Sequence, residues 1–166
     1  ASSESLYFFP VSKLSDFQIP KEVLENPGTS SVWFYQDLLS VPFLVNNSYH
    51  ITNSVSCCRV LKHPDTDSIK YAYIIYLDAS EFSSILQEIF QDNQITSYIL
   101  TDNGKIVASN NPSLLSASLD EEKLYFLYNK GDSLKKRAHT NYHTTTLRNG
   151  WLQVTEIPDS YIMQNT

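Results

Sequence analysis

The side chains best equipped for chemistry in this 166-residue chain are 4 histidines, 2 cysteines and 18 carboxylates, and their spacing builds no catalytic constellation. A nucleophilic hydrolase needs a Ser or Cys with a His base and an orienting acid, and no Gly-x-Ser-x-Gly turn is present to display such a serine. His139 and His143 have the spacing that lets two imidazoles share a metal on a helix. Their segment continues into Thr144-Thr145-Thr146 and reads as a strand, where that spacing separates the residues by about 13 Å, and no zincin glutamate accompanies them. Phosphate cradles need glycine-rich loops, and the 4 glycines all stand in turn contexts. Adjacent carboxylates such as Glu121-Glu122 fall in solvated runs; a pair assembled only in three dimensions stays open. Cys57 and Cys58 would point to opposite faces of a strand, so a bond between them would need a strained turn. Two free thiols are expected, with no zinc site and no disulfide framework. The segment is therefore expected to be no enzyme and to carry no metal and no cofactor.

Composition narrows the alternatives. Apolar residues at 42% and aromatics at 13%, with 11 Tyr, fit a folded, strand-rich protein long enough to bury a core. A net charge of -6 disfavours nucleic acid as a partner, because phosphate neutralisation needs clustered Lys and Arg. The one basic cluster, Lys135-Lys136-Arg137, is expected to be a solvated turn. No run of roughly 18 apolar residues exists to span a bilayer, and no signal peptide opens the chain.

The elements that would position any site centre on Ser97–Asn110. Apolar runs Tyr98–Leu100 and Ile106–Ala108 flank Asp102-Asn103-Gly104-Lys105, and Asn-Gly suits a two-residue type I′ hairpin turn. Upstream, Phe82, Ile85, Leu86, Ile89 and Phe90 make one apolar stripe on a helix over Asp78–Asp92, with Asp78 and Glu81 as a capping box. Residues 5–12 read as an edge strand interrupted by Pro10, and Lys13–Thr29 as loop with one helical turn at Lys21–Glu25. Ser30 or Ser31 would cap a helix from Val32 to Leu39, ended before Pro42, and Asn46–Asn53 is a polar turn region. Ile51–Leu61 and Ile69–Leu77 make a second hairpin around His63–Asp67. Tyr125–Tyr128 fits either a strand or a buried helix. Arg137–Arg148 and Trp151–Ile157 read as strands joined by a second Asn-Gly turn at Asn149-Gly150, with Trp151 in the core.

The ordered set of helix, S-Y-I-L-T-D-N-G-K-I-V-A-S-N and G-W-L-Q-V-T-E-I-P-D-S resembles the membrane-proximal, PAS-like half of an extracellular double Cache sensor domain. It is most similar to those of the Yes-type bacterial sensor histidine kinases, closely over Tyr71–Tyr161 and more loosely over Leu6–Lys70. The resemblance implies an α+β fold, a PAS-like Cache antiparallel sheet with flanking helices. Residues 1–78 would be a partial membrane-distal subdomain and residues 79–166 a membrane-proximal one. Either the segment begins inside the distal half, or its first 80 residues are a reduced version of it. It also implies flanking membrane helices, an excised domain on the extracellular face of the cell membrane, and a dimeric full-length histidine kinase with a cytoplasmic transmitter, a chemoreceptor or cyclase output being equally compatible with the segment.

In such sensors a W-Y-Q-x-A segment starts a helix beside the ligand pocket of the distal half, and Phe34-Tyr35-Gln36 aligns with it, with Trp33 one residue early. The candidate ligand contacts are Trp33, Tyr35, Tyr71 and Tyr73 as walls with Arg59 and Asp78 as charged groups. An Arg and Asp pair would suit an amino-acid zwitterion; aromatics with neutral donors would suit a sugar, and small carboxylates stay open. Tyr and Trp in strands also serve as half-buried packing residues. The alternative to a signalling sensor is an extracellular binding or adhesion module.

Overall fold

The computed structural model of the chain describes residues 21–25, 31–43, 47–66, 68–129 and 133–164. The edge strand expected over residues 5–12 lies outside the described residues, as does most of the loop after it. The expected helical turn within that loop forms α1, Lys21–Glu25.

Strands β1 (Val32–Phe43), β2 (Asn47–Lys62) and β3 (Ile69–Asp78) form an antiparallel sheet in the order β1-β2-β3. β3 runs directly into α2 (Ala79–Ile89). Five further strands follow: β4 (Thr96–Leu100), β5 (Ile106–Ser109), β6 (Leu134–Arg137), β7 (Thr140–Thr146) and β8 (Leu152–Pro158). They make a second antiparallel sheet in the order β5-β4-β8-β7-β6. A single 3-10 turn, Pro112–Leu114, and α3 (Glu121–Tyr128) connect β5 to β6, and α4 (Asp159–Gln164) follows β8. The fold is the α+β class with antiparallel sheets that the sequence leads one to expect.

The helix expected from Val32 is instead β1. Trp33 and Tyr35 face one cluster, with Val55, Ala79, Val107 and Trp151, while Val32 and Phe34 face another, with Val23, Cys58 and Val60. That alternation has the period of a strand, and aromatic and β-branched side chains suit a pleated surface packed on both faces. The backbone of β1 pairs with β2 from Val32↔Cys58 to Phe43↔Asn47. The polar turn expected over Asn46–Asn53 is for the same reason mostly strand, with Thr52 opposite Leu38 and Asn47 opposite Phe43.

Both Asn-Gly turns form, but neither is type I′. Positive φ falls on Gly104 (+84°) and Gly150 (+85°), and Asn103 and Asn149 keep negative values. Gly104 N–H donates to Thr101 O at 3.0 Å and Thr101 N–H to Lys105 O at 2.9 Å; Gly150 to Leu147 O at 3.0 Å and Leu147 to Trp151 O at 2.7 Å repeat the pattern. This is a type I turn closed by a left-handed glycine. Local side-chain acceptors hold it: Thr101 Oγ1 takes Lys105 N–H at 2.9 Å, and Asn149 Oδ1 takes Trp151 N–H at 3.2 Å.

Tyr125–Tyr128 resolves as helix. Asp120 caps α3 by accepting Lys123 N–H at 2.7 Å, and Glu121 and Glu122 fill the first turn, where the helix dipole favours acids. Lys135-Lys136-Arg137 is the edge strand β6 rather than a turn. Lys136 pairs with Asp159, Arg137 with Glu122, and Lys135 Nζ donates to Leu127 O, so the charges guard a sheet edge.

The five-stranded sheet is covered on both faces. One face carries Tyr98, Leu100, Ile106 and Val154 against Leu127 of α3. The other carries Ile99, Val107 and Trp151 against α2 and the three-stranded sheet. α2 buries Ala79, Ser83 and Leu86 and packs Phe82 into that interface, while Ile85 and Ile89 of the expected stripe stay exposed. Ser83 replaces them because its Oγ receives Ser109 N–H at 3.2 Å, fixing the helix on β5 through a polar contact.

Candidate functional site: the groove between the two sheets

β1 lies along the turn that joins β4 to β5, and between them runs a groove of about 540 Å³. β1 contributes Val32, Trp33, Phe34, Tyr35 and Asp37, residues from both faces of this edge strand; the turn contributes Asp102, Asn103 and Lys105. Trp151, the residue before β8, also lines the groove. Lys105 Nζ stands 3.1 Å from Asp37 Oδ2 and 5.8 Å from the centre of the Tyr35 ring. The ion pair and the cation over the ring join the two sheets across the groove.

A second junction lies beside it. Tyr35 Oη donates to Asn53 Oδ1 at 2.8 Å and lies 3.0 Å from Ser116 Oγ, which itself donates to Asn53 Oδ1 at 3.2 Å. Asn53 (φ +53°) and Ser116 (φ +64°) are both left-handed, a conformation uncommon for residues other than glycine. Burial pushes the Tyr35 phenol above its ordinary value; the Ser116 hydrogen bond opposes the rise and the Asp37 carboxylate adds to it. The phenol is a neutral donor at physiological pH, so the clasp is polar without being charged.

Adjoining the groove, residues of the two sheets and α2 line a smaller, half-open cavity of about 210 Å³. Trp33 and Trp151 belong to the walls of both spaces.

The sequence-derived site residues separate. Trp33 and Tyr35 line the groove. Arg59 and Tyr73 are exposed cross-strand partners nearer the far end of β2 and β3, away from the groove lining. Tyr71 stands on β3 opposite Leu61, and its side chain lies outside the described part. Asp78 is the N-cap of α2, its carboxylate accepting Ser80 N–H at 2.8 Å. Sequence reasoning missed Asp37, Asn53, Lys105 and Ser116 as site-forming residues. Only Asn53 carried a signal, as the residue type that most readily turns left-handed inside an otherwise alternating strand.

Cys57 and Cys58 are free and point to opposite sides, and burial pushes the Cys58 thiol up to about 11. His143 is exposed on β7 and His139 lies 3.8 Å from Asp159. Among the described residues no group of three or more His, Cys, Asp or Glu is arranged to hold a metal ion. No helix among them is long and apolar enough to cross a membrane.

No family model and no curated protein sequence matches this chain. Solved structures do. The periplasmic sensory domain of the Campylobacter jejuni chemoreceptor Tlp1 superposes with a TM-score of 0.59 at 10% identity, covering 92% of this chain and 58% of that one. The ligand-binding domain of the Pseudomonas fluorescens chemoreceptor CtaA, in complex with L-leucine, gives 0.54 at 11% identity, over 90% and 66%. The same domain in complex with L-isoleucine gives 0.52 at 10% identity, over 92% and 66%. The chain spans 58% to 66% of the length of these domains. At such identities the likeness is one of fold alone, shared with a periplasmic sensory domain and a chemoreceptor ligand-binding domain.

Proposed function

We propose that this chain is the ligand-sensing part of an extracellular domain in a transmembrane signal-transduction protein. The observation that carries the reading is the groove: aromatic walls and a few fixed polar groups between two sheets that share the helix α2. A ligand there would touch Trp33 and Tyr35 on one side and the Asp102–Lys105 turn on the other, and would bias how the sheets sit together. β8 starts at the groove beside Trp151 and ends at α4, the direction in which a membrane helix would continue. The ligand class is a small polar molecule: an amino acid, a sugar or a carboxylate. The output is a cytoplasmic transmitter in a homodimer, and the resemblance to Yes-type sensors favours a two-component histidine kinase. Arg59 and Tyr73 are kept as outer contacts on the same sheet face; Asp78 acts through the start of α2.

The test is a thermal-shift screen of the chain against amino acids, mono- and oligosaccharides and small carboxylates. A ligand at one hundred times its dissociation constant stabilises the fold by about 2.7 kcal/mol. One class is expected to raise the midpoint, and Asp37→Asn or Lys105→Met to abolish the rise. A rise untouched by either variant would remove the groove from the reading.

A further inference from the structure

The smaller cavity has a composition of its own. Its walls are the apolar side chains of Trp33, Val55, Phe82, Ile99, Val107 and Trp151, drawn from β1, β2, α2, β4, β5 and the start of β8. Its polar lining comes from one place, the Leu147–Gly150 turn, which brings Arg148 and Asn149 to the rim. Arg148 is exposed, and no ion pair or hydrogen bond engages its guanidinium among the described residues. Asn149 spends its Oδ1 on Trp151 N–H, and among the described residues its amide donors are engaged by no acceptor. No acidic residue lines the cavity among the described residues.

An apolar chamber with one cation and one amide donor at its rim matches a molecule with an apolar body and a single anionic head. A guanidinium receives a carboxylate through two parallel N–H donors. A dry apolar cavity of about 150 Å³ accepts benzene, so about 210 Å³ accommodates a six-membered ring or a branched aliphatic chain of similar bulk. An ammonium group would find no acceptor of negative charge here, in contrast to the groove with Asp37 and Asp102.

We propose that this cavity is a second binding site, specific for small apolar monocarboxylates, with Trp33, Val55, Phe82 and Val107 holding the body and Arg148 and Asn149 the carboxylate. It rests on the reading of the chain as a sensor only for its purpose; the two sites share Trp33 and Trp151 as a common wall but differ in their charged groups, Arg148 here and Asp37 with Lys105 in the groove.

The chain's 2 tryptophans line both the cavity and the groove, so intrinsic fluorescence reports binding at either, and variants in each assign it. Benzoate and 4-methylpentanoate, titrated into the 166-residue chain, are expected to change tryptophan emission saturably. Benzyl alcohol, the neutral counterpart of benzoate, is expected to bind about 10- to 100-fold more weakly, and Arg148→Gln to weaken benzoate by a similar factor. Arg148 is exposed in a turn, so this variant folds, and an unchanged melting midpoint checks it. Asp37→Asn, in the groove, is expected to leave benzoate binding intact. No saturable change with either acid, equal binding of benzoate and benzyl alcohol, or an Arg148→Gln variant that binds as well as the parent would each overturn the proposal. Loss of benzoate binding in Asp37→Asn would overturn it too, by placing the acid in the groove. If the acids fail while another class binds and responds to Asp37→Asn, the cavity proposal falls and the sensor reading stands; if no class binds at either place, both fall.

Discussion

Removing one oxygen tests whether the polar clasp holds the two sheets together. Tyr35→Phe keeps the ring that packs beside Trp33 and under Lys105, and deletes the Oη bonded to Asn53 at 2.8 Å and lying 3.0 Å from Ser116. Each neutral hydrogen bond contributes about 0.5–1.5 kcal/mol net. Asn53 Oδ1 keeps Ser116 Oγ as a donor at 3.2 Å, so no acceptor is orphaned and the larger desolvation penalty does not apply. The expected loss is about 1–2 kcal/mol, which for a domain of this size lowers the midpoint by about 2–8 °C. Urea denaturation measures it, with Ser116→Ala and the double variant completing a cycle whose coupling is expected near 0.5–1.5 kcal/mol. Amide exchange should quicken around residues 115–118 as well as along β1, because the clasp spans both sheets. A Tyr35→Phe loss below about 0.5 kcal/mol together with additivity to Ser116→Ala would refute the reasoning, and the sheets would then be held by their apolar contacts alone.

Substitutions at five other positions read different layers of the same fold. Asp78→Ala should cost about 1 kcal/mol through loss of the α2 cap, while Asp78→Asn should be near neutral. If ligand binding fails in both at unchanged stability, Asp78 is a ligand contact after all. Leu127→Ala, at 1% exposure beneath the five-stranded sheet, should cost about 2–5 kcal/mol in urea. Gly104→Ala forces a side chain into φ +84° and sets a Cβ 3.4 Å from Leu119 O, whereas at Gly150 (φ +85°) a Cβ meets nothing within 4 Å. Both should cost about 1–2 kcal/mol for the backbone, with Gly104→Ala the worse. Lys136 and then Asn141 hold the Asp159 carboxyl below its ordinary range by hydrogen bonds. A folded-state value below the unfolded one means the stabilisation is present above about pH 4 and is lost as the pH falls through the lower folded value. Asp159→Asn should therefore flatten the acid limb of the stability–pH curve, and an unchanged limb would show that the pair does not matter to folding.

How much of the fold was legible depended on how local its cause was. The hairpin at Ser97–Asn110 and the cap at Asp78 both follow from residues within a few positions of one another. β1 did not, because Val32–Leu39 is compatible with two periods: its apolar residues are continuous, so a helix and a strand buried on both faces look alike over eight residues. What decides between them is the partner strand β2. The same lack of contrast hid α3, where Tyr125–Tyr128 is apolar throughout and the deciding signal, the Asp120 cap, lies five residues upstream. The type I′ expectation failed for a different reason. Asn-Gly permits positive φ at both positions but does not require it, and Thr101 and Asn149 supplied side-chain acceptors that favour the longer turn.

The site was less legible than the fold because its polar contacts are distant in the chain. Lys105 and Asp37 are 68 residues apart, and Tyr35 and Ser116 are 81 apart. No periodicity in either segment records the meeting. Aromatic character pointed to Trp33 and Tyr35, since large flat side chains are wanted on any interface between sheets, but the same property pointed equally to Tyr73, which the fold leaves 59% exposed. The deciding variable is which face of the three-stranded sheet the second sheet covers, and how far along it. Strand alternation puts Trp33, Tyr35, Val55, Arg59 and Tyr73 on one face. α2, launched from the end of β3 at Asp78, brings the second sheet over only the half that holds Trp33, Tyr35 and Val55. A shared face therefore predicts membership of the site only when the position of the crossover is also known, and here one capped helix start sets that position.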